Sequence, residues 1–439
     1  MKQGVKPAAG TDHPVVKSPF ESRFLLFPEG VRLEEPASGS PTVTYPRGFL
    51  AAGLPIGLKE SGRPDLGVLS VAPEWHDRAV SAAMFTTNAY AAAPVVVTRE
   101  ECDLDHLVAV VMSSGNANAC TGEHGLAVAR DMGATCAEVL GVPRQRVAVG
   151  STGIIGVQLD RDVVVSGVRK VAGALTTGGG PDFAHAIMTT DRFPKMAALE
   201  LDTGSGQVRL GVCAKGAGMI NPAMATMLCV VTTDAHLDPA QARQSLKYAV
   251  GRTFNRITVD GEMSTNDTVV FLSSGASGVT LGPEALKRFQ AALEAMLLRV
   301  ALMMVADGEG ATKVIKAEVS GAEDHRQAER VARAIAGSPL VKTAMHGGDP
   351  NWGRVVGAAG AAMAGRSLPA SSLRLGGVLV FAEGAARVLS AQERAELAAA
   401  VRRSEIEIAL DLGLGGASAA VFFSDLGHDY ITINAEYHT

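Results

Sequence analysis

The sequence predicts a layered α/β protein, α+β in character, with sheets covered by helices. Three observations predict it. Strand-like segments mix with helix-like segments without the strict β-α-β rhythm of a purely parallel sheet. Several of the strand segments alternate apolar and polar residues, as half-buried antiparallel strands do. The composition also suits tight layers: of 439 residues 47% are hydrophobic, 49 are glycine and only 5% are aromatic. That is ample apolar material for a full core.

Residues 1–45 are rich in Pro, Ser and Glu (EEPASGSPTVTYP) and read as a flexible extension. From Gly48 the texture is globular. Leu107–Met112 is an apolar strand running into a Gly/Asn/Ser loop, SSGNANACTGEHG. LAVARDMGATCAEVLG has helical spacing and ends at Gly141, ahead of Pro143. VAVGSTGIIGVQL repeats the pattern of strand and small-residue loop. The clearest helix is LGPEALKRFQAALEAMLLRVALMMVADGEG. Pro283 suits its first turn, Leu286, Phe289, Leu293 and Leu297 make a stripe, and Gly308 stops it. Ser390 and Glu393 form a capping box before AQERAELAAAVRR. EIEIALDL alternates like a strand with one wet face, and the tail YITINAEYHT alternates too. No internal repeat is evident.

Charge and motifs exclude several classes. The net charge of -5, with scattered basic residues, argues against binding phosphate backbones. Five cysteines, an odd number without C-x-x-C spacing, argue against a disulfide scaffold and a zinc ribbon. No G-x-G-x-x-G, G-x-x-x-x-G-K-[ST] or H-E-x-x-H occurs, so neither a nucleotide cofactor nor a metal is expected. His346 and Asp349 in HGGDPNWGR are too few for a metal site and read as a structural loop with Trp352 partly buried. Cys213 and Cys229 read as small apolar fillers, and Cys120 likewise by default. The first twenty residues lack an apolar core of signal-peptide length. The run LEAMLLRVALMMVA is interrupted by Arg299 and reads as too short to span a bilayer. A soluble, cytoplasmic protein without nucleic-acid or membrane partners is the expectation.

The segment with the most chemical content is KGAGMINPAMATMLCVVTTDA, residues 215–235. A glycine-rich front turns at Asn221-Pro222, and Thr226 stands where loop becomes strand. A threonine hydroxyl needs a base, and no histidine lies in this segment. Cutting the Ala225–Thr226 bond would supply one. The freed α-amine, with a pKa of about 7.7–8.0, is partly neutral near pH 7. Gly216 and Gly218 permit close backbone approach, and MLCVVTT would hold Thr226 rigidly. On the residues alone, an ordinary strand threonine after an Asn-Pro loop remains the simpler reading.

This segment resembles the signature of the ornithine acetyltransferases of arginine biosynthesis (bifunctional glutamate N-acetyltransferase and N-acetylglutamate synthase). The resemblance continues through FTTNAYAAAPV (85–95), SSGNANACTGEHG (113–125), STGIIG (151–156) and AIMTTDRFPK (186–195). Beyond the junction it takes in FNRITVDGEMSTNDTV (254–269), ADGEGATK (306–313), SPLVKTAMHGGDPNWGR (338–354) and INAEYHT (433–439). The blocks keep family order from about Gly48 onward.

The resemblance implies an autoprocessed, N-terminal-nucleophile-type acyltransferase fold, cut between Ala225 and Thr226 into an α chain (46–225 after the extension) and a β chain (226–439). Thr226 would then take the acetyl group of N2-acetyl-L-ornithine and pass it to L-glutamate in a ping-pong reaction. Some family members also accept acetyl-CoA as donor. Thr152 and Gly153 are implied as the oxyanion hole; on pattern alone STGIIG is a tight turn. Thr189, Lys215, Glu309, Asn434 and Thr439 are implied in the substrate pocket, Lys215 on a carboxylate and Glu309 on an ammonium. Solvated charges and loop hydroxyls are the plain alternatives for them. The cleaved chains are implied to pair as an α2β2 heterotetramer. Two rivals remain: an autoproteolytic aminopeptidase or amidase with water as acceptor, and an inactive metabolite-binding protein.

Overall fold

The computed structural model describes residues 20–34, 42–221 and 227–436, and the chain divides into two compact units. The larger comprises Phe24–Glu309 with Ile431–Thr439, the smaller Met1–Arg23 with Gly310–Tyr430. Ala225, Thr226 and Thr439 lie outside the described residues.

The larger unit opens with β1 (Val31–Glu34), β2 (Phe49–Leu54), β3 (Leu66–Val71), β4 (Val80–Phe85), α1 (Ala93–Glu101) and β5 (Ala109–Asn116). It continues through α2 (Gly122–Leu140), β6 (Val147–Ile154), α3 (Arg161–Ala172), α4 (Gly180–Ala186), β7 (Lys195–Asp202) and β8 (Gln207–Lys215). Then come β9 (Leu228–Thr233), α5 (Pro239–Arg252), β10 (Ile257–Thr258), β11 (Thr268–Ser273) and α6 (Pro283–Ala306).

One sheet runs β1-β7-β8-β9-β11-β4 and the other β2-β3-β5-β6. Pairing is antiparallel except for β9–β11 and β5–β6. The sheets face each other across a core that includes Leu69, Val110 and Ala148 from one and Cys213, Val230 and Leu272 from the other. Period-two alternation supplies the outer face: Val68, Val111 and Val149 turn away to pack with Val97, Val128 and Val168 of α1, α2 and α3. Helices α5 and α6 cover the six-stranded sheet.

Local signals set the helix ends. Asp238 and Gln241 form a capping box on α5, and Gly141, at φ 67°, closes α2 in the left-handed region. Helix α6 runs 24 residues between the expected start at Pro283 and the stop at Gly308; where the run LEAMLLRVALMMVA read as too short to span a bilayer, the whole helix is long and apolar enough to cross a membrane. It is a core helix instead, since 78% of that apolar window is buried within the protein.

The smaller unit contains β12 (Val314–Ala322), α7 (His325–Ala336), α8 (Pro339–Gly347), α9 (Trp352–Ala362), β13 (Ser372–Leu375), β14 (Val378–Ala382) and β15 (Ala385–Ala386). It ends with α10 (Ala391–Ala400), β16 (Glu405–Asp411) and β17 (Ala417–Ser424). Its strands run β17-β12-β16-β13-β14-β15, and α7 lies on β12 and β17. The expected capping box of Ser390 and Glu393 starts α10. In β16, Ile406, Ile408 and Leu410 are buried while Glu405 and Glu407 are half-exposed, as alternation predicted.

Three expectations need correction. The tail is α11 (His428–Glu436), not a strand. No residue of it is buried and Ile431 is 65% exposed, so no partner strand uses the alternation. Strands β5 and β6 run on through Ser114-Gly115 and Ser151-Thr152-Gly153, where loops were expected, because paired glycines let the backbones stay close. Finally, part of the segment read as an extension is built in: β1 pairs with β7, and Val43 is fully buried.

Candidate active site

The centre of the site lies where β6 and β8 end, in the larger unit. Gly153 pairs with Gly115 and has φ 133°; a Cβ there would come within 2.3 Å of the Gly115 carbonyl carbon. Only glycine fits that approach. Asn266, buried beside it, donates from Nδ2 to the carbonyls of Ser151 (2.8 Å) and Ala117 (2.6 Å) and fixes the strand end. Thr152 is 4% exposed, and its Oγ1 lies 3.2 Å from the Lys215 Nζ, the last residue of β8. Lys215 is itself buried and pairs with Leu228 on β9.

A buried ionic cluster stands behind Lys215. Asp191 Oδ1 accepts the Gly216 N–H at 2.7 Å and the Lys195 ammonium, while Oδ2 accepts the Thr189 N–H at 2.9 Å. Lys195 also bonds Asp307 at the end of α6, and Asp307 accepts Arg192 Nε at 2.7 Å. The side chains of Asp191, Lys195 and Asp307 are wholly buried. Burial alone would raise the Asp191 pKa, but Lys195 and Lys215 together hold it well below the usual carboxylate range. Burial lowers the Lys215 pKa, and Asp191 opposes that.

The other wall is carboxylate. Glu309 accepts Asn434 Nδ2 at 2.8 Å, and its N–H donates to the Ala217 carbonyl at 2.8 Å. A Cβ on Gly218 would meet the Glu309 carboxyl carbon at 2.6 Å, so the lysine-glycine segment and the acid are packed together. After the gap at 222–226 the described chain resumes at Met227, whose N–H donates to Asp267 Oδ1 at 2.9 Å. Asp267 is fully buried, its Oδ2 has no hydrogen-bond partner among the described residues, and burial raises its pKa well above normal.

The structure thus brings Thr152 to Lys215 and Asn434 to Glu309, and ties Thr189 to the residue after Lys215 through Asp191. Ala225, Thr226 and Thr439 lie outside the described residues. The sequence reading missed Asp191, Lys195, Asp307 and Asp267 as individuals. Their signal was a charge at the mouth of an apolar run: Lys195 opens KMAALEL, Asp267 precedes TVVFL and Asp307 follows LMMVA.

In the smaller unit His346 Nδ1 bonds Asp425 Oδ2 at 2.7 Å, whereas Asp349 accepts from Asn351. Among the described residues no three His, Cys, Asp or Glu side chains could hold a metal ion. Burial pushes the Cys213 and Cys229 thiols up, away from reactivity.

The ArgJ family model matches residues 50–439. The arginine biosynthesis bifunctional protein ArgJ of Symbiobacterium thermophilum is 44% identical over 400 residues, covering 90% of this chain and 98% of that protein. The glutamate N-acetyltransferase of Methanosarcina mazei is 44% identical over 368 residues, covering 82% and 91%. A crystal structure of ArgJ from Bacillus halodurans is 36% identical with a TM-score of 0.44, covering 47% of this chain and 97% of that one. A match of such length and identity leaves one conclusion: the chain belongs to the ArgJ family, the glutamate N-acetyltransferases of arginine biosynthesis.

Proposed function

We propose that the chain opens its own Ala225–Thr226 peptide bond and that Thr226 then carries acetyl from N2-acetyl-L-ornithine to L-glutamate. In the first half-reaction the Thr226 oxygen bonds to the acetyl carbonyl carbon. The carbon–nitrogen bond breaks, and ornithine leaves with the proton taken from the hydroxyl by way of the freed α-amine. In the second, the amine of glutamate attacks the ester, and the proton returns to Thr226. Thr152 and Gly153 donate to the oxyanion in both halves. Lys215 faces a substrate carboxylate, Glu309 with Asn434 an ammonium, and Thr189 and Thr439 complete the pocket. Acetyl-CoA is the candidate second donor, for N-acetylglutamate synthesis, and the assay below decides whether it is used. The reaction as written calls on no metal or resident cofactor. The working form is a cytoplasmic α2β2 heterotetramer of the cleaved chains.

The observation that carries this reading is the 3.2 Å approach of Lys215 to Thr152. It joins the segment leading into the junction to the strand end expected to bind the oxyanion.

Intact-mass analysis, with an assay offering N-acetylornithine and glutamate with and without acetyl-CoA, tests it. The wild-type chain is expected as two fragments that form N-acetylglutamate. Thr226→Ala is expected uncut and inactive. Full turnover in that variant refutes the nucleophile, and release of free acetate without transfer points to an amidase.

A further inference from the structure

We infer that Lys215 is a built-in part of the oxyanion apparatus, acting through the Thr152 hydroxyl before any substrate is bound. This rests on the oxyanion role just proposed for Thr152 and Gly153. An ammonium has three donors and no acceptor, so across the 3.2 Å contact Lys215 donates and Thr152 Oγ1 accepts. The threonine's own hydrogen must then point away from Lys215, free for another acceptor. A hydroxyl whose oxygen accepts from a cation is also a stronger donor, the more so where water is excluded. Both side chains are buried, at 3% and 4% exposure.

The charge on Lys215 is provided for within the fold. Asp191, held by Lys195 and the Gly216 N–H, sets a buried negative charge beside it. Lys215 therefore needs no substrate carboxylate to be accommodated. A lysine whose sole task was to hold the substrate would have no part in opening the chain, because no substrate takes part in that step.

Chain opening uses the same donors. The Thr226 oxygen bonds to the Ala225 carbonyl carbon, and the carbonyl electron pair moves onto oxygen, where Thr152 O–H and Gly153 N–H meet it. Collapse restores the carbonyl and breaks the carbon–nitrogen bond. The nitrogen keeps the proton released by the hydroxyl, and water then hydrolyses the ester to the Ala225 carboxylate and free Thr226. Lys215 keeps its proton throughout. It is a positioning and polarising residue for both reactions.

The test is the first-order rate at which freshly synthesised full-length precursor is cut, read by intact mass in the absence of substrate. Lys215→Met is expected to slow cutting about 10- to 100-fold, and Thr152→Ala about 100- to 1000-fold. The double variant is expected to match Thr152→Ala within about threefold, because the lysine acts through the hydroxyl. Should the methionine variant melt as an unfolded chain, Lys215→Gln, which keeps a donor without the charge, takes its place in the same cycle. Wild-type cutting in the lysine variant overturns the inference, and so does a multiplicative double variant. A wild-type chain that never cuts itself overturns the preceding functional reading instead.

Discussion

Lys59 follows β2 in a turn whose backbone N–H groups, from Ile56 to Lys59, converge on the Asp65 carboxylate. Its ammonium donates to the Pro64 carbonyl at 2.8 Å. Burial, with the nearby Lys215 charge against it, lowers its pKa from 10.5 to about 8 despite Asp65. Between those values the unfolded chain binds more protons than the folded one, so this group makes stability rise with pH. Below about pH 8 the cost of burying the charge is fully present. The difference in unfolding free energy between wild type and Lys59→Met should therefore shift in favour of wild type from about pH 8 to 10.5. Denaturant titrations across that range check it, and a flat difference would show that Lys59 titrates normally. At this scale the resemblance had supplied Lys215, Thr152 and Glu309 with implied roles. It gave no role to Asp191 and Lys195, although both lie in the block AIMTTDRFPK; their bonds to each other, to the Gly216 N–H and to Asp307 join residues brought together by the fold. Spacing along a chain carries no mark of such bonds.

Strand ends position the site, and helices hold the strands. Phe289 of α6 meets Phe271 of β11 edge to face, with ring centroids 6.4 Å apart, and both are fully buried. Phe289→Ala should cost about 3–5 kcal/mol, as large-to-small changes in packed cores do, and lower the melting temperature accordingly. A loss under about 1 kcal/mol would mean that α6 is not firmly seated on the six-stranded sheet. The stripe of α6 and the capping box of α10 were legible because they depend on residues three or four apart. The extensions of β5 and β6 were not. Ser, Gly and Asn read locally as loop, and only the partner backbone, close enough to exclude a Cβ at Gly153, keeps them extended.

The proposed cut falls inside the larger unit, between strands that remain paired on either side of it. Lys215 opposes Leu228, and the ladder continues to Leu210 and Thr233. Residues from both sides share one core, Cys213 with Leu228 and Val230. The two fragments should therefore co-elute from a sizing column in native buffer and part only in concentrated denaturant. Separate elution in native buffer would contradict an interlocked core.

By itself the sequence determined the fold class, the main helices, the alternating strand β16 and, through its ordered blocks, the family. Those features rest on neighbouring residues, whose periodicity and capping act over one or two turns. Tertiary structure alone decided that Thr152 meets Lys215 across 63 residues, that Asp191 and Lys195 are wholly buried, and that the tail is helical. Such contacts arise when facing sheets close on each other, and their energies depend on the burial that closure creates.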